Sequence, residues 1–171
     1  MLPPAELYEK YLMVIDATCR FLQQVPTEKL THSQADRPER TFRNLGIHVM
    51  QIAAVFVDSH ATGRLVLSGR KLPEGAAESW TGSEIGAYGA QVRRDMVDWW
   101  ETSGSTMPMD TPMEDNWGIR TVHHTMERQA WHAAQHARQI MMFLDQLGIA
   151  PNHRLSGEDL AGLPLPDDVW I

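Results

Sequence analysis

Between Val122 and Leu147 the sequence reads VHHTMERQAWHAAQHARQIMMFLDQL, an unbroken helical pattern whose inward face carries histidines where core residues are expected. Ile140, Phe143, Leu144 and Leu147 share one stripe, and stepping back by threes and fours brings His136, His132 or Ala133, Gln129 and Val122 onto it. One helix therefore has an apolar end and an imidazole-bearing end on the same side. His132 and His136 lie one above the other on adjacent turns and can both reach a single ion. Eight histidines in 171 residues give roughly 0.4 pairs at this spacing by chance, so the motif alone is weak. Its position strengthens it. Two buried imidazoles without partners cost free energy, and either a metal or a hydrogen-bond network gives them a reason to stand there.

Three further amphipathic patterns accompany this one, giving helices at about 3–25, 41–61, 82–103 and 119–147. The first carries Leu7, Tyr11, Val14, Ile15, Thr18, Phe21, Leu22 and Val25 on one face and ends at Pro26. Thr41 reads as the N-cap of the second, whose stripe is Leu45, His48, Val49, Ile52, Val55 and Phe56, so a third imidazole interrupts an apolar face. The third starts near Thr81 or Ser83, buries Ile85, Tyr88, Val92, Met96 and Trp99 or Trp100, and stops at Gly104. Gly148 ends the fourth, and Pro151 prevents its continuation. The connections at 27–40, 64–80 and 104–118 are long. The second has an extended piece at Leu65 to Leu67, and the third, rich in Met and Pro, is irregular, its methionines sealing the end of the helices. The tail offers a short helix capped by Ser156 and then a proline-spaced strand ending in Trp170, lying across the helices. The expected fold is all-α, a single domain over 1–171 built as a four-helix bundle with long crossover loops.

Composition excludes several classes. A net charge of −7 argues against a nucleic-acid surface, and the arginines at Arg37, Arg40, Arg43, Arg93 and Arg94 read as a solvated face with nearby carboxylates. The longest apolar run, Ile52 to Val57, is too short to span a bilayer, and the opening MLPPAELYEKYL lacks the form of a secretory signal. With Cys19 as its one cysteine the chain forms no internal disulfide, which suits a reducing, cytoplasmic setting; Cys19 itself reads as a small core residue.

His48, His132 and His136 together make a three-nitrogen site with coordination positions left for water or substrate, the pattern of a catalytic metal. Imidazole suits zinc, nickel, copper or iron. His124, Arg128 and Gln129 occupy the turns just before His132, where His124 can serve as proton acceptor and Arg128 and Gln129 as ligand-supporting or substrate contacts, a plain surface role being the alternative for His123 and Arg128.

The run Thr41-Phe42-Arg43-Asn44-Leu45-Gly46-Ile47-His48, followed by Trp131-His132-Ala133-Ala134-Gln135-His136-Ala137-Arg138-Gln139, resembles the DinB/YfiT-like family of metalloenzymes. The resemblance implies an up-down-down-up bundle with one histidine on the second helix and an HxxxH pair on the fourth, binding nickel or zinc. It carries the ligand role onto His48, His132 and His136. Many relatives continue the second histidine as His-Arg-Gly-Gln, whereas this chain has His136-Ala137-Arg138-Gln139, so a role for that glycine does not carry over. The activity implied is activation of a low-molecular-weight thiol for transfer to a small electrophile, in a protein that is monomeric or a homodimer. The alternatives are a metal-dependent hydrolase using a bound water and a non-catalytic metal-binding or interaction module.

Overall fold

Pro3 and Pro4 open the first helix, where missing N–H groups cost nothing, and the computed structural model of the chain, which describes residues 1–66, 69–115 and 117–170, shows it as α1, Pro4–Gln24. Leu7, Tyr11, Val14, Ile15, Phe21 and Leu22 are fully buried along it. α2, Phe42–Ser59, is capped by Thr41, whose hydroxyl accepts from Asn44 N at 3.1 Å. α3, Ala76–Ser79, is a single turn. α4, Gly82–Trp99, begins with a capping box in which Thr81 Oγ1 accepts from Glu84 N and Glu84 Oε2 accepts from Thr81 N. It runs on through a π-helical turn, Trp100–Gly104, that stacks Trp100 on Tyr8 with ring centroids 4.4 Å apart. α5, Val122–Gln146, is capped by Thr121. At its far end Gly148, at φ 71°, lets Ile149 N reach Leu144 O and Gly148 N reach Asp145 O, the paired bonds of a Schellman motif.

The molecule is thus mostly helical, and the four long helices share one core. α1 and α2 each pack against both α4 and α5, and the contact of α1 with α2 is lighter. No described helix is long and apolar enough to cross a membrane.

The structure corrects three expectations about the connections. Residues 112–121, expected to be irregular up to 118 and helical from 119, form an antiparallel hairpin of β1, Pro112–Asp115, and β2, Gly118–Thr121, pairing Pro112 with Thr121 and Asp115 with Gly118. Asp115 Oδ1 accepts from Trp117 N at 2.8 Å, and Gly118 takes φ 116°, so this polar turn sets where α5 begins. The extended piece expected at 65–67 reduces to a single bridge between Arg64 and Glu114, and Leu67 lies outside the described residues. In the tail, Ser156 and Asp159 exchange capping bonds around a turn that never grows into a helix, and no strand follows among the described residues. The tail does lie across the bundle, with Trp170 tilted on Phe143 at 5.6 Å. Met113 is buried and Met107 and Met109 pack against the core, as sealing groups would.

Candidate metal centre

α2 and α5 lie side by side, and their facing turns bring His48 against His132 and His136. The ring centroids are 5.2 Å apart for His48 and His132, 4.9 Å for His48 and His136, and 4.8 Å for His132 and His136. One nitrogen from each ring falls within 4.8 Å of the other two. Nitrogens sharing one tetrahedral ion stand about 3.4 Å apart, so small side-chain movements suffice for all three to hold a metal ion. Burial is graded: His136 is buried, His132 half-buried and His48 exposed. His48 therefore stands at the rim rather than facing inward as its stripe suggests, because it occupies the border of that stripe.

The donor set passes a chemical test of fitness. Gln139 Nε2 donates to the Val169 carbonyl at 2.9 Å, which turns Gln139 Oε1 towards His136 Nδ1 at 2.8 Å. An amide oxygen only accepts, so His136 carries its proton on Nδ1 and presents a lone pair on Nε2. That Nε2 is buried and has no hydrogen-bond partner. An imidazole oriented through its other nitrogen is the usual arrangement of a metal ligand. All three rings are held below the ordinary histidine range, His132 at about 3 by burial and by the neighbouring His136 and His48, and His136 at about 4 by burial. His48 is lowered by the protein packed around it and by Arg40, although part of its ring meets solvent. Near pH 7 all three are neutral, the form that ligates.

Two cavities meet at this cluster. One, of about 340 Å³, is lined by His48, Gln51, Ile52, Val55, Gly69, Trp117, Arg128, Gln129 and His132. Gln51 shapes it: its amide exchanges two hydrogen bonds with the backbone of Arg70, pinning the loop to α2. The other, of about 310 Å³, opens between Glu39, Arg40, Asn44 and Leu45 onto all three histidines.

Arg128 and Gln129 thus lie beside the cluster. His124 does not: it lines a neighbouring cavity with Arg120, Glu127 and Trp131, one that shares Trp117 and Arg128 with the first, and it lies eight positions before His132, about 12 Å along the helix. A proton leaving the imidazole cluster does not reach it directly. Cys19 takes no part, since burial and Asp16 push its thiol up to about 11 and leave it protonated. Of the arginines, Arg93 pairs with Asp16, Arg37 with Asp36 and Arg40 with Glu39, in keeping with a solvated charged face. Gln139, Gln51 and Trp117 were not singled out by sequence. For Gln139 a signal existed, its place one turn beyond His136 on the same face. No protein-family model matches the chain, and no curated protein sequence matches it.

Proposed function

We propose that His48, His132 and His136 bind one divalent transition ion, nickel or zinc, and that the chain is an enzyme of the DinB/YfiT-like kind, acting on a small molecule with the aid of a low-molecular-weight thiol. The observation that carries this reading is the buried, unpartnered Nε2 of His136, aimed by Gln139 and Val169 and joined by two more neutral imidazoles. The up-down-down-up course of the helices belongs to the same proposal. The long connection over 60–81, ample for a return along the bundle, supports it.

The chain's own contribution is to hold three neutral donors at a rim open on two sides. His136 is fixed, His132 is supported by burial, and His48 stands where an incoming molecule meets it from either cavity. When bound, the ion would lower the pKa of an adjacent thiol or water towards neutrality. The 340 Å³ cavity offers apolar walls at Ile52, Val55 and Trp117 on one approach to the cluster.

Metal analysis of protein purified without a histidine tag, beside His132→Ala and His136→Ala, tests the proposal. About one ion per chain is expected in the wild type and a loss of most of it in each variant. A full complement of ion in either variant would rule out this site. Assays of the metal-loaded protein with cellular thiols and electrophiles then separate thiol transfer from hydrolysis, and no turnover with either leaves a metal-binding module.

A further inference from the structure

Arg128 sits on α5 one turn before His132, and its guanidinium carbon lies 3.9 Å above the centre of the Trp117 ring. A guanidinium held over an aromatic ring by cation–π attraction leaves its N–H groups free for other acceptors. One of them, at Nη1, approaches Gln129 Oε1 at a long 3.5 Å. Among the described residues Arg128 makes no ion pair. Asp115, the carboxylate whose charge acts on it, accepts from Trp117 N through one oxygen and faces Arg120 Nε at 3.6 Å through the other.

The setting is unusual for an unpaired cation. Arg128 is half-buried and, with Trp117, stands between the cavity around His124 and the 340 Å³ cavity it shares with His48 and His132, whose apolar walls are Ile52, Val55 and the Trp117 ring. Burial lowers the arginine's hold on its proton, yet the group remains charged at any physiological pH. A fork of donors in the wall of a largely apolar cavity, with Gln129 beside it, has the form of a carboxylate anchor.

We infer that this cavity takes a small, largely apolar molecule bearing one carboxylate, with the carboxylate on the edge of Arg128 and the apolar body between Trp117, Ile52 and Val55. The inference rests on the metal-site reading only for what happens at the other end of the molecule, which the cavity directs towards His48 and His132. Arg128 and Trp117 are then specificity-determining residues. They act as a unit, because the ring that stacks the guanidinium also covers the ligand. Gln51 and Gly69 complete the wall, and Gly69 has its place because a Cβ there would stand 2.6 Å from Gln51 Oε1 and the backbone takes φ +78°.

The test uses a series of monocarboxylic acids from acetate to 4-phenylbutyrate, each beside its primary amide. Each is titrated into the purified protein with binding read by calorimetry and tryptophan fluorescence, and the metal content of every sample is measured. In the wild type the best-fitting acid is expected to bind at least about tenfold more tightly than its amide, the scale of one charge-assisted hydrogen bond. Arg128→Gln should remove that preference, and Arg128→Lys, which keeps the charge but loses the fork and the stack, should keep only part of it. Should Arg128→Gln not fold, the lysine variant decides alone, a wild-type preference in it counting against the inference. Equal binding of every acid and amide, or an acid preference that survives Arg128→Gln as it would if the carboxylate sat on the ion, overturns the proposal. An Arg128-dependent preference in samples without metal would leave this inference standing and end the metal reading; stoichiometric metal without the preference would do the reverse.

Discussion

Gln139 decides which nitrogen of His136 faces the cluster, and its own direction is set by the carbonyl of Val169. Replacing it by leucine removes the acceptor that holds the Nδ1 proton, so His136 can take either tautomer and turn. Gln139→Leu is expected to weaken metal binding about ten- to hundredfold, and Gln139→Glu, which keeps an acceptor for Nδ1–H but loses the donor to the Val169 carbonyl, to fall between the leucine variant and the wild type. Competition against a chromophoric chelator reads this, and an unchanged affinity in the leucine variant would show that Gln139 orients nothing. His60 offers a second residue-scale outcome, away from the metal centre. It is stacked on Trp99 at 4.5 Å and edge-on to Phe56 at 4.8 Å, its Nε2 is buried without a partner, and burial lowers it to about 4. The unfolded chain takes up a proton near the ordinary value of about 6.5, well before the folded chain does. Stability is therefore full above about pH 6.5 and declines as pH falls towards 4, where the folded form protonates too. His60→Phe keeps the ring stack without the titration. Its stability measured by denaturant between pH 7 and 4 should fall less than that of the wild type, and parallel curves would show that His60 carries none of the loss.

Helix placement depends on close approaches that only small residues allow. Gly82, the first residue of α4, sits against the end of α1 so tightly that a Cβ would lie 2.1 Å from the carbonyl oxygen of Leu22. Backbone cannot step aside as a side chain can, so Gly82→Ala is expected to cost about 2 kcal/mol or more, against less than about 0.5 kcal/mol for exposed Ser83→Ala next to it. Equal midpoints in urea for the two variants would show that α1 and α4 are free to separate there. The long helices were legible in sequence because their stripes, caps and stops agree: Thr41, Thr81 and Gly148 all stand where the chain turns. The hairpin was not, since PMED and GIRT are too short to show an alternating pattern and their pairing depends on the turn at Asp115 and Gly118. The tail failed for a related reason. Ser156 and Asp159 form the capping bonds of a helix start, but Gly162 turns left-handed at φ 84° and Pro164 and Pro166 follow, so the chain leaves the helical path. His48 shows the limit for the site itself: helical spacing finds the stripe, but only the packing of α2 on α5 separates its centre from its rim.

The tail joins the elements into one device, because it supplies acceptors that α5 cannot find on its own. Gln135 Nε2 donates to the carbonyls of Asp168 and Val169, Arg138 to those of Pro166 and Asp167, and Gln139 to that of Val169. Trp170 closes this strap over Phe143 and Met142, and Arg37 and Arg40 from the 27–40 connection lie over its ring at 5.4 and 5.9 Å. Residues far apart in sequence thus converge on the face of α5 that carries Gln135, Arg138 and Gln139. Ending the chain after Leu165 removes every one of these carbonyls. The helix then exposes Gln135 and Gln139 to water, which satisfies them at a stability cost on the order of 1–3 kcal/mol but no longer fixes the Gln139 amide. Such a truncation is expected to stay folded, with a lower melting temperature and a metal affinity reduced about as far as in Gln139→Leu. Trp170→Ala separates the two effects, since it loses the aromatic cover but keeps the carbonyls, and should lower stability while holding metal affinity near the wild type. A truncated protein that bound its ion as tightly as the full chain would mean that the orientation of His136 is set within α5 alone.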